Sequence, residues 1–364
     1  MEKTNVIQDF ASLGRFLRQF GPRIIRRDAN IPGNELFFEP MQMLVERAHE
    51  SNPWFTPENM MYALGQWGLA LEEKKLRRWL DAYTFPANPR PQKVGIIMAG
   101  NIPAVGLHDL LSVLAAGHRA VAKLSSSDNK IIPLIVKYLE HINPAWKGRV
   151  EFTDGLLRNF DAVIATGSDN SARYFQYYFG RYPHIIRHNR NGVAVLTGDE
   201  TDEQMEALAD DIMRYFGLGC RNVSKLFVPK GFDLNRIFKG LLKYAHYAEY
   251  RKYRNNYDYN KAVFLMSTDE NERLGLLDNG LVLLKNDTRY ASPVGVVFYE
   301  TYDRLDDVRR ILEHDRDKIQ VVISTAGLPG ALPPGQSQQP QLWDYADGVD
   351  TMRFLLDLHK TGQR

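Results

Sequence analysis

The chain has 364 residues, with 46 basic against 44 acidic side chains, a formal charge of +2 and 44% hydrophobic content. That is enough apolar material for a large core spread over about two domains, while the balanced charge gives no global attraction to nucleic acid. One cysteine, Cys220, excludes an internal disulfide framework and a cysteine-based structural zinc site; with no secretory leader and no run near the roughly 18 apolar residues of a membrane span, the chain reads as cytoplasmic.

The first ninety residues read as a helical layer. Leu13, Phe16, Leu17 and Phe20 follow the i, i+3, i+4, i+7 spacing of one helix face, and residues 61–80 carry a longer amphipathic pattern. Pro86, Pro89 and Pro91 punctuate the chain before an apolar strand at 94–99, which runs into Gly100-Asn101-Ile102-Pro103. Then come a helix at 107–116, a strand at 120–124, a helix at 131–142, a strand at 160–165 ending in Thr166-Gly167-Ser168, and a helix at 170–179. Such alternation predicts a parallel, doubly wound sheet with its ligand site at the C-terminal strand ends.

After Gly192 the pattern restarts, with a strand at 193–196, an acidic helix at 202–216, the cysteine turn and a strand at 225–228. Further strands are expected at 262–266, 295–298 and 320–324, a Pro/Gly/Gln-rich loop at 328–340 and a terminal helix at 350–358. The division that follows is residues 1–190 for the helical layer and cofactor-binding domain, 191–327 for a catalytic α/β domain, and 328–364 for a C-terminal loop and packing segment.

Cys220 sits in Gly217-Leu218-Gly219-Cys220-Arg221-Asn222, a Gly-flanked junction where the backbone can approach a ligand closely. A packing cysteine has no need of that position, so Cys220 is the candidate nucleophile. The interleaved tyrosines and basic residues at 244–259 invite a nucleic-acid reading, but an amphipathic helix with long side chains over apolar surface explains them with less. His108 and His184 read as structural histidines.

Four motifs in order resemble the aldehyde dehydrogenase superfamily over residues 93–325. They are Ala99-Gly100-Asn101-Ile102-Pro103, the 115–126 segment ending Lys123-Leu124-Ser125-Ser126, Ala165-Thr166-Gly167-Ser168, and Gly219-Cys220 followed by 224–228. Within it, Met98 to Pro103, His108-Asp109, Gly219-Cys220-Arg221-Asn222 and Tyr345-Ala346-Asp347-Gly348-Val349-Asp350-Thr351 resemble bacterial acyl-CoA and acyl-protein thioester reductases over nearly the full chain.

The resemblance implies an aldehyde-dehydrogenase-like fold and an oxidoreductase that reduces a fatty acyl thioester, acyl-CoA or acyl-protein, to the aldehyde. It makes Cys220 the acyl-bearing nucleophile and Asn101 an oxyanion donor, with Lys123, Ser125, Ser126, Gly167 and Ser168 around the cofactor. No metal site is read. Ser126 stands where NAD-preferring relatives often have Glu, which removes repulsion of a 2′-phosphate, and Lys123 attracts one; NADPH is expected, with NADH the alternative. The segment carrying the hydrolytic Glu of aldehyde-oxidising relatives is here Ile186-Arg187-His188-Asn189-Arg190-Asn191-Gly192, without a carboxylate, which favours reduction over hydrolysis unless His188 serves as base. A second family Glu, near the nicotinamide ribose, is replaced by Arg289.

Asn101 could equally cap a helix starting near Pro103, and residues 125–128 could cap the helix from Ile131. An acyl-phosphate reductase, a non-catalytic scaffold retaining the fold, and a homo-oligomer stay open as alternatives.

Overall fold

The computed structural model describes residues 2–21, 24–87, 89–267 and 275–361. Its contacts form two compact units, Met1–His188 with Pro340–Arg364, and Asn189–Gln339. The segment 328–364, expected as one C-terminal piece, is divided between them.

The first unit opens on α1 (Lys3–Arg18), α2 (Asn34–Ser51), α3 (Pro57–Ala70) and α4 (Glu73–Asp81). Leu13, Phe16, Leu17 and Phe20 are all fully buried, as their spacing on one face requires. Thr56 caps α3 by accepting the Asn59 N–H, and Pro57 occupies the first turn, where its missing N–H costs nothing.

Five strands, β1 (Lys93–Ile97), β2 (Arg119–Lys123), β3 (Val150–Thr153), β4 (Ala162–Thr166) and β5 (His184–Arg187), form a parallel sheet in the order β3-β2-β1-β4-β5. The linking helices are α5 (Leu107–Ala115), α6 (Ile131–Ile142) and α7 (Asp169–Phe179). Phe16 stacks on Tyr138 of α6 at 4.2 Å between ring centroids, which joins the helical layer to the sheet's cover. Strand order reverses between β1 and β4, so the loops leaving their C-terminal ends diverge and open that edge to a ligand.

The second unit contains β6 (Asn191–Val195), α8 (Asp202–Met213), β7 (Val223–Pro229), α9 (Asn235–Leu241), α10 (Arg251–Ser267), β8 (Leu276–Asp278), β9 (Leu283–Asn286), β10 (Val296–Tyr302), α11 (Leu305–His314) and β11 (Ile319–Ser324). Its sheet runs β11-β6-β7-β10-β9-β8, parallel except for β8 against β9. Thr201 and Gln204 form a reciprocal capping box at the start of α8.

Two expectations are corrected here. Residues 262–266 are not a strand but the last turns of α10, where only Phe264 of the five is buried. The acidic helix ends at Met213, and a 3₁₀ turn, Arg214–Gly217, follows with Tyr215 and Phe216 in the left-handed region at φ 55° and 58°.

The chain closes with α12 (Thr351–Thr361). His118 and His359 stack at 4.2 Å and fasten this helix to the first unit. Because the Gln92 N–H donates to His118 Nδ1 (3.0 Å), the imidazole is neutral and its Nε2 donates to the Leu355 carbonyl (2.7 Å). Burial pulls its pKa down from 6.5 to about 4. The folded state thus refuses a proton that the unfolded chain accepts: the stabilisation is complete above pH 6.5 and is lost as pH falls from there to about 4, about 3 kcal/mol in all. Urea unfolding at pH 7 and pH 5 should show the stability difference between the parent and His118→Asn shrinking by about 2 kcal/mol at the lower pH.

Candidate active site

Pairing sets Ile97, at the end of β1, beside Lys123 on one flank and Ala165 on the other. Residues 98–103, 123–126 and 166–168 therefore emerge at one edge of the first sheet. Asn101, Lys123, Ser125, Ser126, Gly167 and Ser168 are brought together there; Asn101, Ser126 and Ser168 are exposed and the others partly so. Helix α5 starts at Leu107 behind Gly106, so Asn101 is not its cap. Ser168 does cap α7, accepting the Ser171 N–H at 3.4 Å.

The first two of these turns touch. A Cβ on Gly100 would run into the Ser125 side chain, so only glycine permits the approach. Across that contact Asp128 Oδ2 accepts the Ala104 N–H (2.8 Å) and holds Ala104 left-handed at φ 55°. Asp128 is buried, which pushes its carboxyl up to about 6, and its other oxygen has no partner among the described residues. Ser125 Oγ accepts from Ser127 N–H (3.2 Å) and Asn52 Nδ2 donates to the Ser127 carbonyl (3.2 Å). Residues 125–128 thus form a pinned turn rather than a cap of α6, whose N-cap is Lys130.

Arg187, at the end of β5, is turned inward at the same edge. Its guanidinium meets Asp109 of α5 through two bonds of 2.5 and 2.7 Å and also donates to the Thr166 and Thr351 hydroxyls. Both partners are buried, at 6% and 5% exposure.

In the second unit, Cys220 is exposed on the turn between the 3₁₀ segment and β7. Asn222 closes that turn, donating its N–H to the Gly219 carbonyl (2.9 Å) and accepting the Gly219 N–H on Oδ1 (2.8 Å). Strand β6 makes room for it: a Cβ on Gly192 would lie 2.6 Å from the Asn222 carbonyl oxygen. Arg221 Nε donates to the Ser337 carbonyl at 2.5 Å, and Asp211 of α8 accepts the Gly335 and Ser337 N–H groups at 2.6 and 2.8 Å. Burial pushes the Asp211 carboxyl up to about 6 despite those bonds. A small pocket lined by Ile212, Met213, Phe216, Tyr253, Val282 and Val296 also includes Gly217 and Ser224, which flank the Cys220 turn on either side.

Residues 41–241 match the acyl-CoA reductase (LuxC) family, more than half of the chain. The chain belongs to this LuxC family. None of the curated proteins matches it. Among solved structures, aldehyde dehydrogenase 21 of Physcomitrella patens, in complex with succinate, is similar with a TM-score of 0.63 at 11% identity, covering 97% of this chain and 84% of that one. An indole-3-acetaldehyde dehydrogenase of P. syringae, in complex with NAD+, has a TM-score of 0.60 at 14% identity, covering 91% and 74%. The Δ-pyrroline-5-carboxylate dehydrogenase of Mycobacterium tuberculosis, bound with NAD, has a TM-score of 0.55 at 15% identity, covering 92% and 70%. The fold is that of the aldehyde dehydrogenases.

Other residues singled out in this LuxC-family chain are placed as follows. Arg289 is tied to Asp287 by bonds of 2.9 and 2.6 Å, which hold that carboxyl well below its usual range. His188 is exposed, its backbone N–H reaching Asp347 at 3.4 Å. Four of the tyrosines in 244–259 are structural: Tyr247, Tyr250 and Tyr253 pack around the left-handed Phe216, Tyr244 bonds Asp210, and Tyr253 bonds the Leu281 carbonyl. Left-handed non-glycine residues each carry a strain on the order of 1–3 kcal/mol, and this aromatic packing holds the strained turn at 214–217, just before Cys220. Sequence reasoning placed Asn222 only in the cysteine motif and Asp128 only in a possible helix cap, and assigned Asp211 no role at all, since only the three-dimensional turn shows what their side chains hold. Among the described residues, no group of three or more His, Cys, Asp or Glu could hold a metal ion, and no helix is long and apolar enough to cross a membrane.

Proposed function

We propose that this LuxC-family chain reduces a fatty acyl thioester to the aldehyde through an acyl group carried on Cys220, with NADPH as reductant. The observation that carries the reading is that the only cysteine is exposed on a turn whose neighbours are pinned. A thiol placed for packing would be buried.

As thiolate, Cys220 attacks the thioester carbonyl; the new C–S bond forms, the bond to the departing thiol breaks, and the acyl group stays on the enzyme. The Asn101 carboxamide is proposed as donor to the developing oxyanion, worth about 3 kcal/mol, so Asn101→Ala should lower turnover roughly 10²-fold.

The first sheet's edge fits a dinucleotide by the chemistry of its donors: the Lys123 ammonium, the Ser125 and Ser126 hydroxyls, and the N-terminal N–H groups of α7. When bound, such a cofactor supplies the hydride that reduces the acyl group. Cys220 then leaves as thiolate, releasing the aldehyde. No carboxylate occupies 186–192, and Arg187 there is consumed by Asp109, so water has no placed carboxylate base and the acyl group should persist unless His188 serves in its stead.

Intact-mass measurement after incubation with acyl-CoA alone should show one acyl adduct, removed by hydroxylamine, and cofactor oxidation should be faster with NADPH than with NADH. A chain that forms no adduct and oxidises neither cofactor overturns the reading; oxidation with acyl phosphate but not acyl-CoA moves the substrate to that class.

A further inference from the structure

The carboxamide of Asn222 is 2% exposed and fully employed. Beside its bond to the Gly219 N–H, the two N–H groups of its Nδ2 are shared among the carbonyls of Asp211 (3.0 Å), Ile212 (3.3 Å) and Arg214 (2.9 Å). These are the carbonyls that the end of a helix leaves without intrahelical partners. One side chain therefore caps the C-terminus of α8 and braces the turn on which Cys220 stands, while its backbone carbonyl accepts the Gly192 N–H of β6 at 3.0 Å. Arg221, between them in sequence, is anchored on Ser337.

We infer that Asn222 is a positioning residue that fixes the orientation of the Cys220 thiol for acyl transfer, an inference that rests on Cys220 being the acyl-bearing group. Alkylation by a small reagent needs the thiolate and access, but no particular orientation. Acyl transfer from a bulky thioester needs the sulfur aimed at the carbonyl, and a misplacement near 1 Å costs roughly 10²-fold. The two reactions separate orientation from exposure, and the single cysteine makes both unambiguous.

In Asn222→Ala, the rate of acyl adduct formation from palmitoyl-CoA, followed by intact mass, should fall roughly 10²-fold. Alkylation by iodoacetamide and the half-saturating palmitoyl-CoA concentration should each stay within about threefold of the parent, the margin being small against that loss. If the alanine variant does not fold, Asn222→Asp carries the test. It keeps the acceptor for the Gly219 N–H but sets a carboxylate against three carbonyls, so acylation relative to the parent at the same pH should be slow at neutral pH and recover as the pH falls and the protonated carboxyl donates again. Parental acylation rates in the variant that folds, or acylation and alkylation falling in parallel, overturn the inference alone. A parent that forms no adduct overturns the chemical reading and this inference with it.

Discussion

Cys220→Ala should abolish cofactor oxidation with acyl-CoA, lowering turnover by about 10⁴-fold or more, while the thermal midpoint stays within about 1 °C of the parent. The two halves of that result have separate causes. The side chain is exposed, so truncating it removes little packing and should move stability by no more than about 0.5 kcal/mol. The chemistry, in contrast, loses the only thiol in the chain, and no second cysteine can take the acyl group. Cys220→Ser is the sharper control, because the hydroxyl is close in size but a far weaker nucleophile at neutral pH; it should resemble alanine rather than the parent. Turnover in either variant within tenfold of the parent would mean that the thioester is reduced without passing through this residue. Cofactor binding in the absence of acyl-CoA, read from nicotinamide fluorescence, should be unchanged, since the residues proposed to hold it belong to the other unit.

What the sequence displays about this fold is what local chemistry decides. Strands β1, β2 and β4 are short, mostly apolar runs ending at Ile97, Lys123 and Thr166, and the loops that follow them were located to within a residue or two. The strand expected at 262–266 shows where composition misleads. Ala262, Val263, Leu265 and Met266 are apolar yet exposed, and the signal that mattered was the helical spacing of the buried Tyr253, Tyr257 and Phe264. Strands β3 and β5 were passed over because β3 is half exposed and β5 carries His184 and Arg187 at its ends. The polar devices were the least legible. Asp128, Asp211 and Asn222 look like ordinary turn and helix residues until the backbone amides they serve are seen, and those amides lie between 3 and 126 positions away.

Asp109→Ala should cost about 3–5 kcal/mol and lower the thermal midpoint by roughly 10 °C. Asp109 and Arg187 are 78 positions apart in sequence, and the pair is bidentate and buried on both sides. Forming such a pair gains little over two well-packed apolar side chains, because each charge gives up its hydration; breaking it is another matter, since the guanidinium is left buried without its counter-charge. The Thr166 and Thr351 hydroxyls that also accept from Arg187 cannot supply that charge. Two companion variants test the account. Asp109→Asn keeps one acceptor and should lose about half as much, and the double replacement Asp109→Leu with Arg187→Leu, which removes both charges, should recover more than half of the stability lost in Asp109→Ala. A double variant no more stable than Asp109→Ala would show that packing around Asp109, not the stranded cation, sets the cost. Because Thr166 precedes the Gly167-Ser168 turn at the ligand edge, loosening Arg187 should also weaken cofactor binding, and the doubly apolar chain should recover stability ahead of affinity: the turn regains a packed neighbour but not the hydrogen bond that Arg187 gave to Thr166.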